Sequence, residues 1–103
     1  MNISVSQHAI EWMARELHMP DGDGVRFFVR YGDSHIHPGF NLTVGVAKPL
    51  HPAISWVQEG ILLFIEQGDV WYLEGYDLAV HYDDVHDDLQ FAYTVSSSKS
   101  TER

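Results

Sequence analysis

Two histidines one residue apart, His35 and His37, lie in a polar loop bounded by glycine and proline, Tyr31-Gly-Asp-Ser-His-Ile-His-Pro-Gly-Phe40. Neutral imidazole ligates zinc, iron, copper or nickel, so His35 and His37 are the candidate metal ligands, with iron or zinc as the candidate metals. Two ligands do not complete a coordination sphere. A third has to come from Asp33 in the same loop, from His51, or from His81 and His86 with their neighbouring carboxylates. The competing reading is a pair of loop histidines that face solvent or bond to backbone, and a His-x-His pattern arises often by accident.

Other residue groups carry weaker signals. Asp83, Asp84, His86, Asp87 and Asp88 offer oxygen ligands for a hard cation, yet they lack the glycine and terminal glutamate of a calcium-binding loop. A solvated acidic turn is the expectation there. Arg26 and Arg30, two apart on a strand, share a face and could clamp an anion; pairing with the protein's own acids is the favoured alternative. Ser34 adjoins His35 only in sequence, no strained nucleophile turn is visible, and no phosphate-binding glycine loop is present. The chain is therefore expected not to be an enzyme. Trp56, Trp71 and Tyr72 are expected in the core or at an oligomer interface rather than around a ligand.

Composition narrows the classes. A chain of 103 residues is most simply one domain, and 45% hydrophobic content with 13 aromatics (Phe 5, Tyr 5, Trp 3) is enough to build a core. A net charge of -9 argues against nucleic acid and anionic membranes as partners, because phosphate contacts need clustered Lys and Arg. The absence of cysteine excludes disulfides, thiolate metal ligands and a cysteine nucleophile together. The N-terminus lacks the basic flank and long apolar core of a signal peptide, and no apolar run approaches the ~20 residues of a membrane span. A cytoplasmic location is expected.

These side chains need a scaffold, and the pattern supplies one. Ile3 to Val5 reads as an entry strand and Ser6 as a helix cap; Ile10, Met13, Ala14 and Leu17 then form one apolar stripe, with Trp12 on its margin, up to a stop at Pro20. Runs at 25–31 and 40–47 alternate as strands on either side of the histidine loop, with Arg26, Phe28 and Arg30 on one face and Phe27, Val29 and Tyr31 on the other. Further strands are expected at 54–57, 61–66, 78–82 and 89–95, with Ile61-Leu-Leu-Phe-Ile65 the most buried. Asp69-Val-Trp-Tyr-Leu73 fits either a strand or one helical turn capped by Asp69. The expectation is an α+β fold, mainly antiparallel, spanning 1–95, followed by a flexible polar tail at 96–103.

Taken in order, these landmarks resemble the HesB/IscA-like family of iron–sulfur biogenesis proteins. The resemblance rests on the helix after Ile3-Ser-Val-Ser6, the strand ending at Arg30, the loop ending in Pro38-Gly39-Phe40, Glu59-Gly-Ile-Leu-Leu-Phe-Ile65, and Asp69-Val-Trp-Tyr-Leu-Glu-Gly75. It covers roughly residues 2 to 93 and is closer still to a cysteine-free, YneR-like subgroup of Gram-positive bacteria. It implies a compact, twisted antiparallel β-sandwich with one N-terminal helix packed on it, often assembled as a homodimer or higher oligomer. Typical members hold iron or a cluster with one loop cysteine and a Cys-x-Cys pair near the C-terminus. Under the resemblance the loop cysteine's position falls at His37, and Thr94 to Arg103 offers no counterpart of the pair. An all-thiolate cluster is impossible here. The implied role is an accessory in iron or iron–sulfur metabolism that binds a metal or a protein partner; the alternative is a protein-interaction module of the same fold without metal chemistry.

Overall fold

A computed structural model describes residues 1–32 and 36–96. Ser6 caps the first helix as its sequence position implies: its hydroxyl accepts from the Ala9 N–H at 3.1 Å, satisfying one of the orphan donors of the first turn. The chain runs β1 (Ile3–Val5), α1 (Gln7–Glu16), β2 (Gly24–Tyr31), β3 (Phe40–Ala47), β4 (Pro52–Gln58), β5 (Ile61–Glu66), a 3-10 turn at Val70–Leu73, β6 (Tyr76–Asp83) and β7 (Asp88–Val95). The helix ends a turn before Pro20, because Leu17 already adopts extended backbone and packs with Met19 against the core. Its buried stripe is Ala9, Ile10 and Met13; Ala14, expected on that stripe, is exposed.

The strands form two sheets, ordered β1-β6-β7 and β3-β2-β5-β4. The pairing is mainly antiparallel, as expected, with two parallel exceptions. β1 runs parallel to β6, and β2 runs parallel to β5, so both sheets are mixed. The reason lies in connection length: α1 carries the chain away from β1, and the β3–β4 excursion separates β2 from β5, giving each pair the crossover that parallel neighbours require. The remaining pairings, β2 with β3, β4 with β5 and β6 with β7, are antiparallel.

One core cluster draws on both sheets and the helix, with Val25, Phe27, Leu63, Ile65, Tyr72, Leu73, Met13, Leu78 and Val80 all essentially inaccessible. Phe27 reaches Phe91 of β7 (ring centroids 6.4 Å apart) and stacks on Trp56 of β4 (6.3 Å). β5 is the most buried strand, as its unbroken apolar run predicts, and even Phe64 on its opposite face is fully covered. The acidic turn between β6 and β7 is more engaged than a solvated loop. Asp87 bonds Arg15 (2.6 Å) and the Tyr82 hydroxyl (2.7 Å), its carbonyl accepts from the Trp12 indole, and Asp83 accepts from the His86 ring at 2.7 Å. Ser96, the first residue of the stretch read as a tail, is buried and donates its N–H to the Gly75 carbonyl; 97–103 lie outside the described residues.

Glu66 closes β5 by accepting from the Leu50 and His51 N–H groups at 2.7 and 2.6 Å, which fixes the proline-rich connection into β4. The Leu50 amide leads in holding this carboxyl below its usual pKa, with the His51 amide and Arg26 adding to it against the opposing effect of burial. A depressed folded-state pKa contributes stability that is complete above the unfolded value and disappears as pH falls through the folded one. Thermal unfolding of Glu66→Gln should therefore fall below the native protein at neutral pH, and the gap should begin to close only as pH falls below about 4. A constant gap between the two proteins across that range would contradict the assignment.

Candidate functional site

The hairpin joining β2 and β3 brings the predicted histidine loop back over the 3-10 turn. Pro38 and Gly39 occupy the centre of a turn closed by the Phe40 N–H donating to the His37 carbonyl at 3.1 Å, and Gly39 has φ +86°. Proline presets the first central residue of such a turn, and glycine alone takes a positive φ at the second without strain. The His37 ring is thereby set against Trp71 and Tyr72, with centroids 5.1 and 4.9 Å away. Its Nε2 lies 3.0 Å from the Tyr72 carbonyl oxygen. A carbonyl can only accept, so Nε2 carries the hydrogen, an arrangement shared by histidines that ligate a metal through the other ring nitrogen.

His35, with Asp33 and Ser34, lies outside the described residues. The other proposed ligands are spread over the fold: His51 in the connection before β4, His81 exposed on β6, and His86 on the acidic turn bonded to Asp83. Among the described residues no group of three or more His, Asp or Glu side chains is gathered to hold a metal ion. His86 titrates above its usual range because of the Asp83 hydrogen bond and charge, and Asp83 correspondingly below, an exposed pair remote in role from the His37 corner.

Next to His37 the surface opens into a cleft of about 360 Å³ lined by Val29, Arg30, Tyr31, Phe40, Asp69 and Trp71. Tyr31 stacks on Phe40 (5.2 Å) and Trp71 meets the Phe40 ring edge-on (5.8 Å). Tyr31 is 85% and Trp71 42% exposed, so these aromatic walls face solvent. Of the three aromatics assigned to core or interface, Tyr72 is fully buried and Trp56 packs on the core, whereas Trp71 belongs to the surface.

The two strand arginines part company. Arg26 pairs with Asp69 at 2.8 Å, while Arg30 donates its Nε to the Asn41 amide oxygen at 3.3 Å and meets no carboxylate among the described residues. Of the two readings of Asp69–Leu73, the helical turn is the one found; Asp69 occupies its N-cap position but makes no side-chain cap bond. Its carboxylate instead reaches Arg26 and the Val29 N–H (3.4 Å). That placement follows from the parallel β2–β5 pairing, which ends at Phe27–Ile65 and leaves the chain after β5 running beside the far end of β2. Sequence reading missed the cleft, since Tyr31, Phe40 and Trp71 come from three separate elements. The alternation of β2 did mark Arg30, but not its lack of an acidic partner.

Comparison with known proteins places this arrangement. The fold matches that of SufA from Escherichia coli, a protein involved in the biosynthesis of iron–sulfur clusters, with a TM-score of 0.54 over 92% of this chain and 86% of that one, at 16% sequence identity. The architecture is thus of the HesB/IscA-like kind, carried by a chain with no cysteine. Over 94 residues, 90% of this chain and 99% of the relative, it is 39% identical to the pyruvate dehydrogenase inhibitor of Bacillus subtilis (strain 168). An uncharacterised protein of Staphylococcus saprophyticus is 33% identical over 96 residues, covering 89% of this chain and 98% of its own length. The chain belongs to the same family as the Bacillus inhibitor and this staphylococcal protein, and its fold is the HesB/IscA-like one. No protein-family model matches it. No helix among the described residues is long and apolar enough to cross a membrane.

Proposed function

We propose that this chain is a non-enzymatic, protein-binding regulator that inhibits a pyruvate dehydrogenase. The likeness to the Bacillus inhibitor extends over nearly the whole of both chains, so it concerns an entire folded surface rather than a shared segment. The observation that supports the reading on the structural side is the solvent-facing aromatic cleft of Tyr31, Phe40 and Trp71 beside the His37 corner. At the position where the family resemblance puts a ligand cysteine, this chain has an imidazole whose Nε2 is spent as a donor to main chain. That bond braces the hairpin loop against the 3-10 turn, and the aromatic surface beside it faces solvent.

A second reading, an accessory in iron–sulfur metabolism that binds iron or a protein partner, draws on the fold shared with SufA. The residues present do not fit an iron–sulfur cluster, which relies on thiolate ligands. One preparation tests both. Titrated into a pyruvate dehydrogenase complex, the purified chain should cause a saturable loss of pyruvate-dependent NAD reduction; an undiminished rate at large molar excess would overturn the inhibitor reading. Near-stoichiometric iron in anaerobically purified protein, lost in His37→Ala, would favour the second reading instead.

A further inference from the structure

Arg30 stands out by its charge environment. Four Lys or Arg residues are described: Arg15 pairs with Glu16 and Asp87, Arg26 with Asp69, and Lys48 with Asp23, leaving Arg30 with the neutral Asn41 amide alone. In a chain of net charge -9, with carboxylates in excess, a guanidinium without an acid among the described residues is an unspent recognition group. It borders the cleft walled by Tyr31, Phe40 and Trp71. The one carboxylate in that lining, Asp69, is neutralised by Arg26 and the Val29 N–H, so Arg30 is the charge of the lining without an acidic partner among the described residues.

We infer that this cleft docks a partner segment presenting an apolar side chain, aromatic for preference, beside a carboxylate. The inference rests on the reading of the chain as a protein-binding inhibitor and names the chemistry its partner must offer there. Trp, Tyr and Arg are the residue types that dominate binding energy at protein interfaces, and here all three meet at one concavity. A volume of about 360 Å³ is near the lower end of ligand pockets, room for one large side chain rather than a cofactor. Charge complementarity selects the companion group. A lone arginine holds one carboxylate, while the overall negative charge repels a polyanion such as nucleic acid. The same net charge steers a basic partner surface towards the chain, and the single acid at Arg30 then fixes register.

Phenylpropionate, a ring joined to a carboxylate, is the probe. In heteronuclear NMR it should shift the Trp71 indole N–H, the Arg30 Nε–H and the Phe40 amide saturably. Arg30→Gln should weaken it about tenfold, and the neutral phenylpropionamide should bind the native chain no better than the acid binds that variant. Shifts that do not saturate, or that are equal for acid and amide, would overturn the pocket. The same variants then go into the dehydrogenase assay. Arg30→Gln and Trp71→Ala should each raise the inhibitory midpoint about tenfold, while Val57→Ser, exposed on β4, should leave it unchanged. If native and cleft variants inhibit alike, the pocket falls and the inhibitor reading stands. If the native chain does not inhibit while phenylpropionate binds through Arg30, the inhibitor reading falls and the carboxylate–aromatic site survives it.

Discussion

Tyr72→Ala should cost about 3–5 kcal/mol of folding stability, the loss expected when a large aromatic is removed from a closed core. Tyr72 is fully buried, and its ring touches three others, those of His37, Trp71 and Tyr93. Its hydroxyl donates to the Phe40 carbonyl at 3.2 Å, and its own carbonyl receives the His37 Nε2–H. One residue therefore ties the 3-10 turn to the β2–β3 hairpin and to β7. Burial, with the neighbouring Tyr72 phenol, also pushes the Tyr93 hydroxyl above its usual pKa. Tyr72→Phe keeps the ring and the main-chain acceptor, so it should cost only about 1 kcal/mol for the hydroxyl's bonds. Denaturant unfolding followed by tryptophan fluorescence measures both. A Tyr72→Ala cost no larger than that of Tyr72→Phe would show that the ring is not the joint between these elements.

The second large effect is expected at Asp69. Asp69→Ala should destabilise the chain by about 2–3 kcal/mol, below the range for fully buried pairs because the Arg26 side chain keeps 36% of its exposure. What the substitution leaves behind matters more than the bond it removes. The Arg26 Nε is buried and has no hydrogen-bond partner even in the native chain, so stripping its carboxylate strands the guanidinium further. Adding Arg26→Met should then recover part of the loss, since a neutral chain of similar length can lie over Phe28, where the guanidinium now sits 5.4 Å from the ring. Equilibrium unfolding of both singles and the double gives the coupling directly. Additive losses would mean that Asp69 acts through the Val29 N–H alone.

Much of this molecule is written in local pattern. The strand alternation, the Ser6 cap, the unbroken apolar run of β5 and the Pro38-Gly39 turn are each decided by φ/ψ preference and side-chain period, which neighbours along the chain suffice to express. The lack of cysteine was equally legible, and it disposes of thiolate chemistry without any geometry. Ala14 and Tyr31 mark where such reading stops. Period assigns a residue to a face but not to the depth of the core beneath it, and Tyr31 extends past the covered part of its sheet. Pairing is further from reach. Nothing local tells Val25 to lie beside Leu63 in parallel rather than antiparallel register, yet that choice carries Asp69 to Arg26, 43 positions away. Once Asp69 is claimed, Arg30 is left with an amide, and Phe40 and Trp71 come together around it. Backbone preference is local and can be read in order; charge pairing and concave surfaces depend on which distant segments share a sheet, and that is settled by the packing of the whole chain.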